Sequence, residues 1–271
     1  MSPFGSFFII HCEVGGDTQN LRHQEVFWPV LSDLVNMSDQ YGASLSIQLN
    51  PQWAEYILMD EDRFGRLKKW QQDGHEIGLH HHGYDHEDWD GYTNRDEGKR
   101  DSKFRGSVRD AVSLMTRLVY PLRLLSGTIS DEEFDYPEGI QYDTEGIRYM
   151  HSRSRPKQVA LGGNQLIQVG MALLSKSVDI ENLQKEYFKS KGDEIFGIVT
   201  HEKNFAESPD LIEEWLRFIK NNKGCIKTVS KIIEDYKLVY PIRKNSTPLT
   251  FGNDVSGSAS VKAVAGHEKN E

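Results

Sequence analysis

Cysteine is almost absent from this chain. Its two residues, Cys12 and Cys225, stand far apart among 271 positions. This excludes a disulfide framework and fits reduced thiols in a reducing, cytoplasmic setting. A basic surplus is absent too: 32 Lys and Arg stand against 41 Asp and Glu, a formal charge of -9. Phosphate backbones need a basic stripe and anionic lipid needs a basic patch, so neither nucleic acid nor membrane is an expected partner. The apolar run Phe4 to Ile10 is too short to span a bilayer. It also lacks the basic flank and cleavage site of a secretory signal, and reads as a buried strand. The residues after it, Glu13-Val14-Gly15-Gly16-Asp17, match neither a P-loop nor a dinucleotide fingerprint, which weakens a nucleotide-binding fold. There is no internal repeat, and nothing in the sequence speaks to oligomeric state.

What is present is an alternation of strand-like and helix-like segments. Hydrophobic residues at 37% and charged residues at 27% suffice for one buried core. Phe7 to Cys12 reads as a strand, Val26 to Tyr41 as a helix ended by Gly42, and Ala43 to Leu49 as a second strand stopped at Asn50-Pro51. Asp60 to Gln72 reads as a helix and His75 to His80 as the third strand; Gly83 to Gly106 is a long polar loop. Ser107 to Tyr120 reads as a helix and Leu122 to Leu125 as the fourth strand. Patterning is weak from Gly127 to Lys176, with strand candidates at Ile147 to Met150 and Leu166 to Val169. Asp179 caps a helix to Lys191, Ile195 to Thr200 is a late strand, and Ser208-Pro209 opens a helix to Lys223. Cys225 to Tyr240 is a last strand or helix. The alternation predicts a (β/α) barrel, distorted or seven-stranded forms included, with parallel strands and outer helices over residues 1–244. An open doubly wound sheet also fits. Residues 245–271, poor in aromatics and rich in Ser, Gly and Ala, are expected to be a disordered tail.

The densest chemical signal lies at the end of the third strand. Five of the ten histidines, His75, His80, His81, His82 and His86, fall within a dozen residues. On a strand His80 and His82 share one side and His81 faces the other. Three residues separate His82 from His86, so one helical turn would bring their rings together. Either pairing suits a divalent transition ion. A plainer alternative is an exposed loop that happens to be rich in histidine, or core histidines that are merely hydrogen-bonded.

These residues resemble the polysaccharide deacetylases of carbohydrate esterase family four. Gly74-His75-Glu76-Ile77-Gly78 followed by His82-Gly83-Tyr84-Asp85-His86-Glu87 is similar to that family's Gly-His-Glu-Ile-Gly and His-x-x-x-His motifs. The interval is two residues longer here, occupied by His80 and His81. At the family's usual interval the ligand pair would be His80 and Tyr84. The resemblance therefore puts the ligands on His82 and His86, with His80 in reserve. At the end of strand one, Glu13 falls on the family's metal-ligand position and Cys12 or His11 on its base position. Asp17, past two glycines, is the candidate substitute base. Arg123 in Leu122-Arg123-Leu124 stands for the arginine that orients the base, and Gly139 to Thr144 resembles a stretch that often follows. His201, after Gly197-Ile198-Val199-Thr200, stands for the general acid. For Arg123 a surface salt bridge is the ordinary alternative, and for Glu13 and Asp17 it is a capped turn.

The resemblance implies a zinc ion on Glu13, His82 and His86 that polarises an acyl carbonyl and activates water. His201 would protonate the leaving amine or alcohol, a role that imidazole suits. The substrate would be an N- or O-acylated sugar, with Trp53, Tyr84, Trp89 and Tyr92 as stacking platforms or, more often, as packing residues. Position supports the same set independently: Glu13, His82 and His201 follow expected strands and Arg123 lies with the expected fourth, and barrel active sites sit at the strand ends. Two alternatives stand beside it. One is another His-x-His metal hydrolase, of amidohydrolase or phosphoesterase type, built on His80 and His82. The other is a non-catalytic, metal-binding descendant of the fold, favoured by the missing aspartate after Ile10.

Overall fold

A computed structural model describes residues 2–130, 134–145 and 152–244. The tail expected beyond 244 and the strand candidate at 147–150 lie outside the described residues. Among the described residues, twelve strands share one sheet. They are β1 (Gly5–Cys12), β2 (Ser46–Leu49), β3 (Glu76–His81), β4 (Ser126–Ile129), β5 (Tyr142–Glu145), β6 (Arg153–Ser154), β7 (Lys157–Leu161), β8 (Asn164–Gly170), β9 (Ala172–Leu173), β10 (Ile195–His201), β11 (Ile226–Lys227) and β12 (Arg243–Lys244). The helices are α1 (Arg22–Gln40), α2 (Pro51–Leu58), α3 (Glu61–Gln72), α4 (Val108–Val119), α5 (Ile180–Lys189), α6 (Glu202–Glu207), α7 (Pro209–Asn221) and α8 (Val229–Val239).

β10, β1, β2, β3, β4, β5 and β8 pair in parallel in that order. Only Met171 separates β8 from β9, and β9 pairs in parallel with β10. The two segments thus bind both ends of the curled sheet, and the expected barrel is present in its seven-stranded form. A β7–β8 hairpin, β6 and β12 extend the sheet, and β11 pairs with the start of β1.

The alternation along β1 explains how a buried strand delivers a polar site. Phe8, Ile10 and Cys12 face the layer under the outer helices, packing in one cluster with Leu31, Leu34 and Trp53. The other face starts with Phe7 and Ile9, which pack with Val229, Ile232, Ile233 and Tyr236 of α8. Two more steps of the same period bring His11 and Glu13. The barrel axis is therefore apolar at the N-terminal ends of the strands and polar at the C-terminal ends.

Outside the sheet, α7 presses Trp215 flat on Phe196 of β10, with ring centroids 5.6 Å apart and 25° between planes. Both residues are buried. Trp215→Ala should cost about 3–5 kcal/mol in urea unfolding, through lost burial and an unfilled cavity. A midpoint equal to that of the parent would remove α7 from the cooperative core.

Three sequence expectations change. Asn50-Pro51 does not merely stop β2; Pro51 is the first residue of α2, a place its fixed φ favours. Ser208 precedes Pro209 as expected, but its side chain makes no capping bond. The fourth strand is Ser126–Ile129 rather than Leu122 to Leu125.

Candidate metal centre

β1 and β3 lie on either side of β2. Glu13 follows β1 and His82 follows β3, while His80 is its penultimate residue. The Glu13 carboxylate lies 3.5 Å from His80 Nε2, 3.4 Å from His82 Nε2 and 3.1 Å from His201 Nε2. His80 Nε2 and His82 Nε2 are 2.6 Å apart. Glu13, His80 and His82 are all buried, and their donor atoms fall within 4.8 Å of one another. One carboxylate and two imidazoles form a donor set that catalytic zinc sites use, with a position left for substrate or water. His80 Nδ1 is buried with no hydrogen-bond partner.

The electrostatics suit a cation. Burial would raise the Glu13 carboxyl, but His80, His201 and His82 overcome it and hold the group well below the usual carboxylate range. Burial, then His80, pushes the His82 imidazole down to about 2. An ionised carboxylate beside a neutral imidazole is the state in which both offer lone pairs to a metal.

His86 lies on the far side of His82. The contact between them, 2.7 Å, joins Nδ1 to Nδ1, so His86 addresses the ring nitrogen that does not face Glu13. The expected trio Glu13, His82 and His86 therefore does not converge as one set: Glu13 and His82 converge with His80, and His86 groups with His82 and Asp88. The segment between the two histidines is a turn closed by His86 N–H on the Gly83 carbonyl rather than the helical turn expected.

His201 ends β10 beside β1, in register with His11. Asn204 Nδ2 lies 3.2 Å from its Nδ1. The contact orients the ring so that Nε2 faces the Glu13 carboxylate.

The other two expected catalytic residues stay outside the cluster. Asp17 is exposed. Its carboxylate accepts from Gln19 N–H at 2.8 Å and from the Asn20 side chain, so it caps its own turn. Arg123 is exposed and precedes β4, because the chain after α4 spends Tyr120 to Leu125 on the connection. In a parallel barrel that position is the N-terminal pole, opposite the histidines. His75 and Glu76 serve the same pole: His75 accepts from Leu45 N–H and contacts Asp39, and Glu76 accepts from Ser46 and Ser230. The expected platforms Trp53, Trp89 and Tyr92 are buried packing residues; the Trp53 indole donates to the Glu13 carbonyl at 2.8 Å.

Several supports carried no motif in the sequence. Below the cluster, His11 Nε2 lies 3.0 Å from Gln48 Oε1 and 3.2 Å from Thr128 Oγ1, and Thr128 contacts Thr144. The His11 ring stacks on His80 with centroids 3.9 Å apart. A glutamine inside the buried strand Ser46–Leu49 was the available hint. Asn50 donates to the His80 carbonyl at 2.7 Å. Glu202, fully buried after His201, accepts from Glu13 N–H at 3.2 Å and meets His23 at 2.6 Å. Asp90 binds His81 Nδ1 at 2.7 Å and accepts from the backbone of His82 and Tyr92. Asp90→Ala should cost about 3 kcal/mol, through the broken buried pair. It should also weaken metal binding about 10-fold or more by freeing the His82 backbone. Unchanged zinc affinity would show that Asp90 does not orient His82.

No family model matches the sequence, and no curated protein does. Solved structures do match. One is a protein of Mycobacterium smegmatis described as a polysaccharide deacetylase, with TM-score 0.56 and 11% identity over 90% of this chain and 94% of the other. A second, of Pseudomonas aeruginosa PAO1 and described likewise, gives 0.57 and 12% over 88% and 92%. The Puue allantoinase gives 0.59 and 12% over 88% and 92%. At such identities the likeness establishes the fold: this chain has the (β/α) barrel of the polysaccharide deacetylases.

Proposed function

We propose that the protein is a metal-dependent deacylase of N- or O-acylated sugars, with zinc held by Glu13, His80 and His82. The observation that carries this reading is the convergence of one carboxylate with the inner nitrogens of His80, His82 and His201 at the C-terminal end of the barrel. The resemblance to deacetylase motifs and the deacetylase-like fold support it.

A bound zinc ion would polarise the acyl carbonyl and bring the pKa of water to about 7, so that ionisation at neutral pH needs no dedicated carboxylate. Glu13, His80 and His82 would hold the ion. His201, as the imidazolium, holds a proton at Nε2 on the edge of the cluster, delivers it to the leaving amine or alcohol and is left neutral. His11 takes a supporting place: Gln48 and Thr128 occupy its Nε2, and burial, then His80, holds its imidazole neutral. Asp17 is left out of the proton path because its oxygens are spent on its own turn.

One observation favours a second reading, a metal-binding protein without turnover. Glu13 is the only carboxylate, among the described residues, that meets the inner faces of His80, His82 and His201. The deciding experiment is release of acid from a panel of N- and O-acylated amino sugars by the zinc-loaded protein. Release that disappears in Glu13→Ala supports the deacylase. Zinc retained without release across the panel supports the second reading.

A further inference from the structure

His82 uses only one of its two nitrogens at the inner site. Its Nε2 faces Glu13 and His80, and its Nδ1 faces His86. The segment that carries His86 is closed on itself. His86 N–H donates to the Gly83 carbonyl at 2.9 Å, Trp89 N–H to the His86 carbonyl at 3.1 Å, and Asp90 N–H to the His82 carbonyl at 3.2 Å. Two successive turns thus sit on a backbone clasp that the buried Asp90 carboxylate locks from below, accepting from His82 N–H at 3.3 Å. The result is a fixed loop on which His82, His86 and Asp88 each offer one ligand atom, all within 4.8 Å of one another, with His82 Nδ1 meeting His86 Nδ1 at 2.7 Å. Asp85, the nearby acid that could compete, is already paired with Arg95 at 2.8 Å. Asp88 is exposed and His86 half-buried, so this group opens toward solvent where the inner one is buried.

We infer that residues 82–90 hold a second divalent cation on His82 Nδ1, His86 Nδ1 and Asp88, with the His82 ring bridging it to the inner ion. The inference rests on the inner site proposed above. Two imidazoles and a carboxylate suit the same transition ions as the inner set. A ring that serves two cations must give up its remaining N–H proton, which passes to solvent as the second cation binds. His86 Nδ1 also exchanges the Asp88 N–H bond of 3.1 Å for the ion. The outer ion is therefore the more exchangeable of the two and leaves first when a chelator is titrated in.

The full-length protein, loaded with zinc and freed of excess, should hold two ions per chain. His86→Ala should hold one, and Asp88→Asn should lose its second ion at lower chelator concentration than the parent. Both variants should keep the parent's circular dichroism. Loaded with copper(II), the parent should show a depressed electron paramagnetic resonance signal, because an imidazolate bridge couples the two spins. His86→Ala should restore the signal of an isolated copper ion. One zinc in the parent and one in His86→Ala would overturn the second site and leave the inner reading standing. One zinc in the parent and none in His86→Ala would overturn it in favour of a single site on Glu13, His82 and His86. No zinc in the parent would overturn both readings.

Discussion

His80→Ala should leave the purified protein with no zinc at its inner site and no deacylase activity, while His86→Ala keeps that ion. The asymmetry follows from which nitrogens meet. His80 Nε2, His82 Nε2 and the Glu13 carboxylate face one buried point, whereas His86 touches only the outer nitrogen of His82. Removing His80 takes away one of the three proposed ligands and the ring nitrogen 3.5 Å from the buried Glu13 carboxylate. It also removes the ring on which His11 stacks. The outcome is checked by metal analysis after gel filtration, with thermal unfolding to show that the variant folds. Zinc retained in His80→Ala and lost in His86→Ala would return the inner ligand role to the pair that the deacetylase-like motif spacing suggests.

That contrast shows where reading from sequence stops. Strand alternation placed His80 and His82 on one side and His81 on the other, and His81 indeed turns away to Asp90. Alternation says nothing about which ring nitrogen faces which neighbour, and this is what separates His80 from His86. β1, β3 and β10 were legible because fully buried parallel strands read as short apolar runs that break into polar residues at their ends. β4 was not, because its sequence Ser-Gly-Thr-Ile has weak strand character. Its glycine is a packing requirement: a Cβ at Gly127 would come within 2.9 Å of the Leu79 carbonyl of β3. Pattern counting took the apolar Leu122 to Leu125 instead, and that error carried Arg123 to the wrong pole.

The hairpin of β7 and β8 was partly legible, since Leu166 to Val169 falls inside β8. Its turn was available as well. Gly162 and Gly163 both have positive φ, 51° and 79°, between the paired Leu161 and Asn164. That is the two-residue connection in which adjacent glycines are favoured. The supports of the site, Gln48, Asn50, Asp90 and Glu202, come from four separate segments and reach it only through the closure of the barrel. Apart from a glutamine in the buried strand Ser46–Leu49, no local pattern marks them.

His201→Gln should lower kcat about 10²- to 10⁴-fold, the usual worth of a positioned general acid, with zinc content unchanged. His201 approaches the same Glu13 oxygen as His80, at 3.1 Å against 3.5 Å, so two roles compete for it. As a ligand it would turn its Nε2 lone pair to the ion; as an acid it must carry a proton on that atom. Asn204 lies 3.2 Å from His201 Nδ1 and steadies the ring with Nε2 toward Glu13; to give up a proton from Nε2 the ring must be the imidazolium, with Nδ1 protonated as well and facing the Asn204 side-chain oxygen. Substrates with better leaving groups need less protonation, so an activated aryl ester should recover most of the rate in His201→Gln. Asp17→Asn, which alters only an exposed turn, should match the parent on both substrates. Loss of zinc from His201→Gln would make His201 a ligand. Equal losses on the amide and the activated ester would remove it from proton delivery.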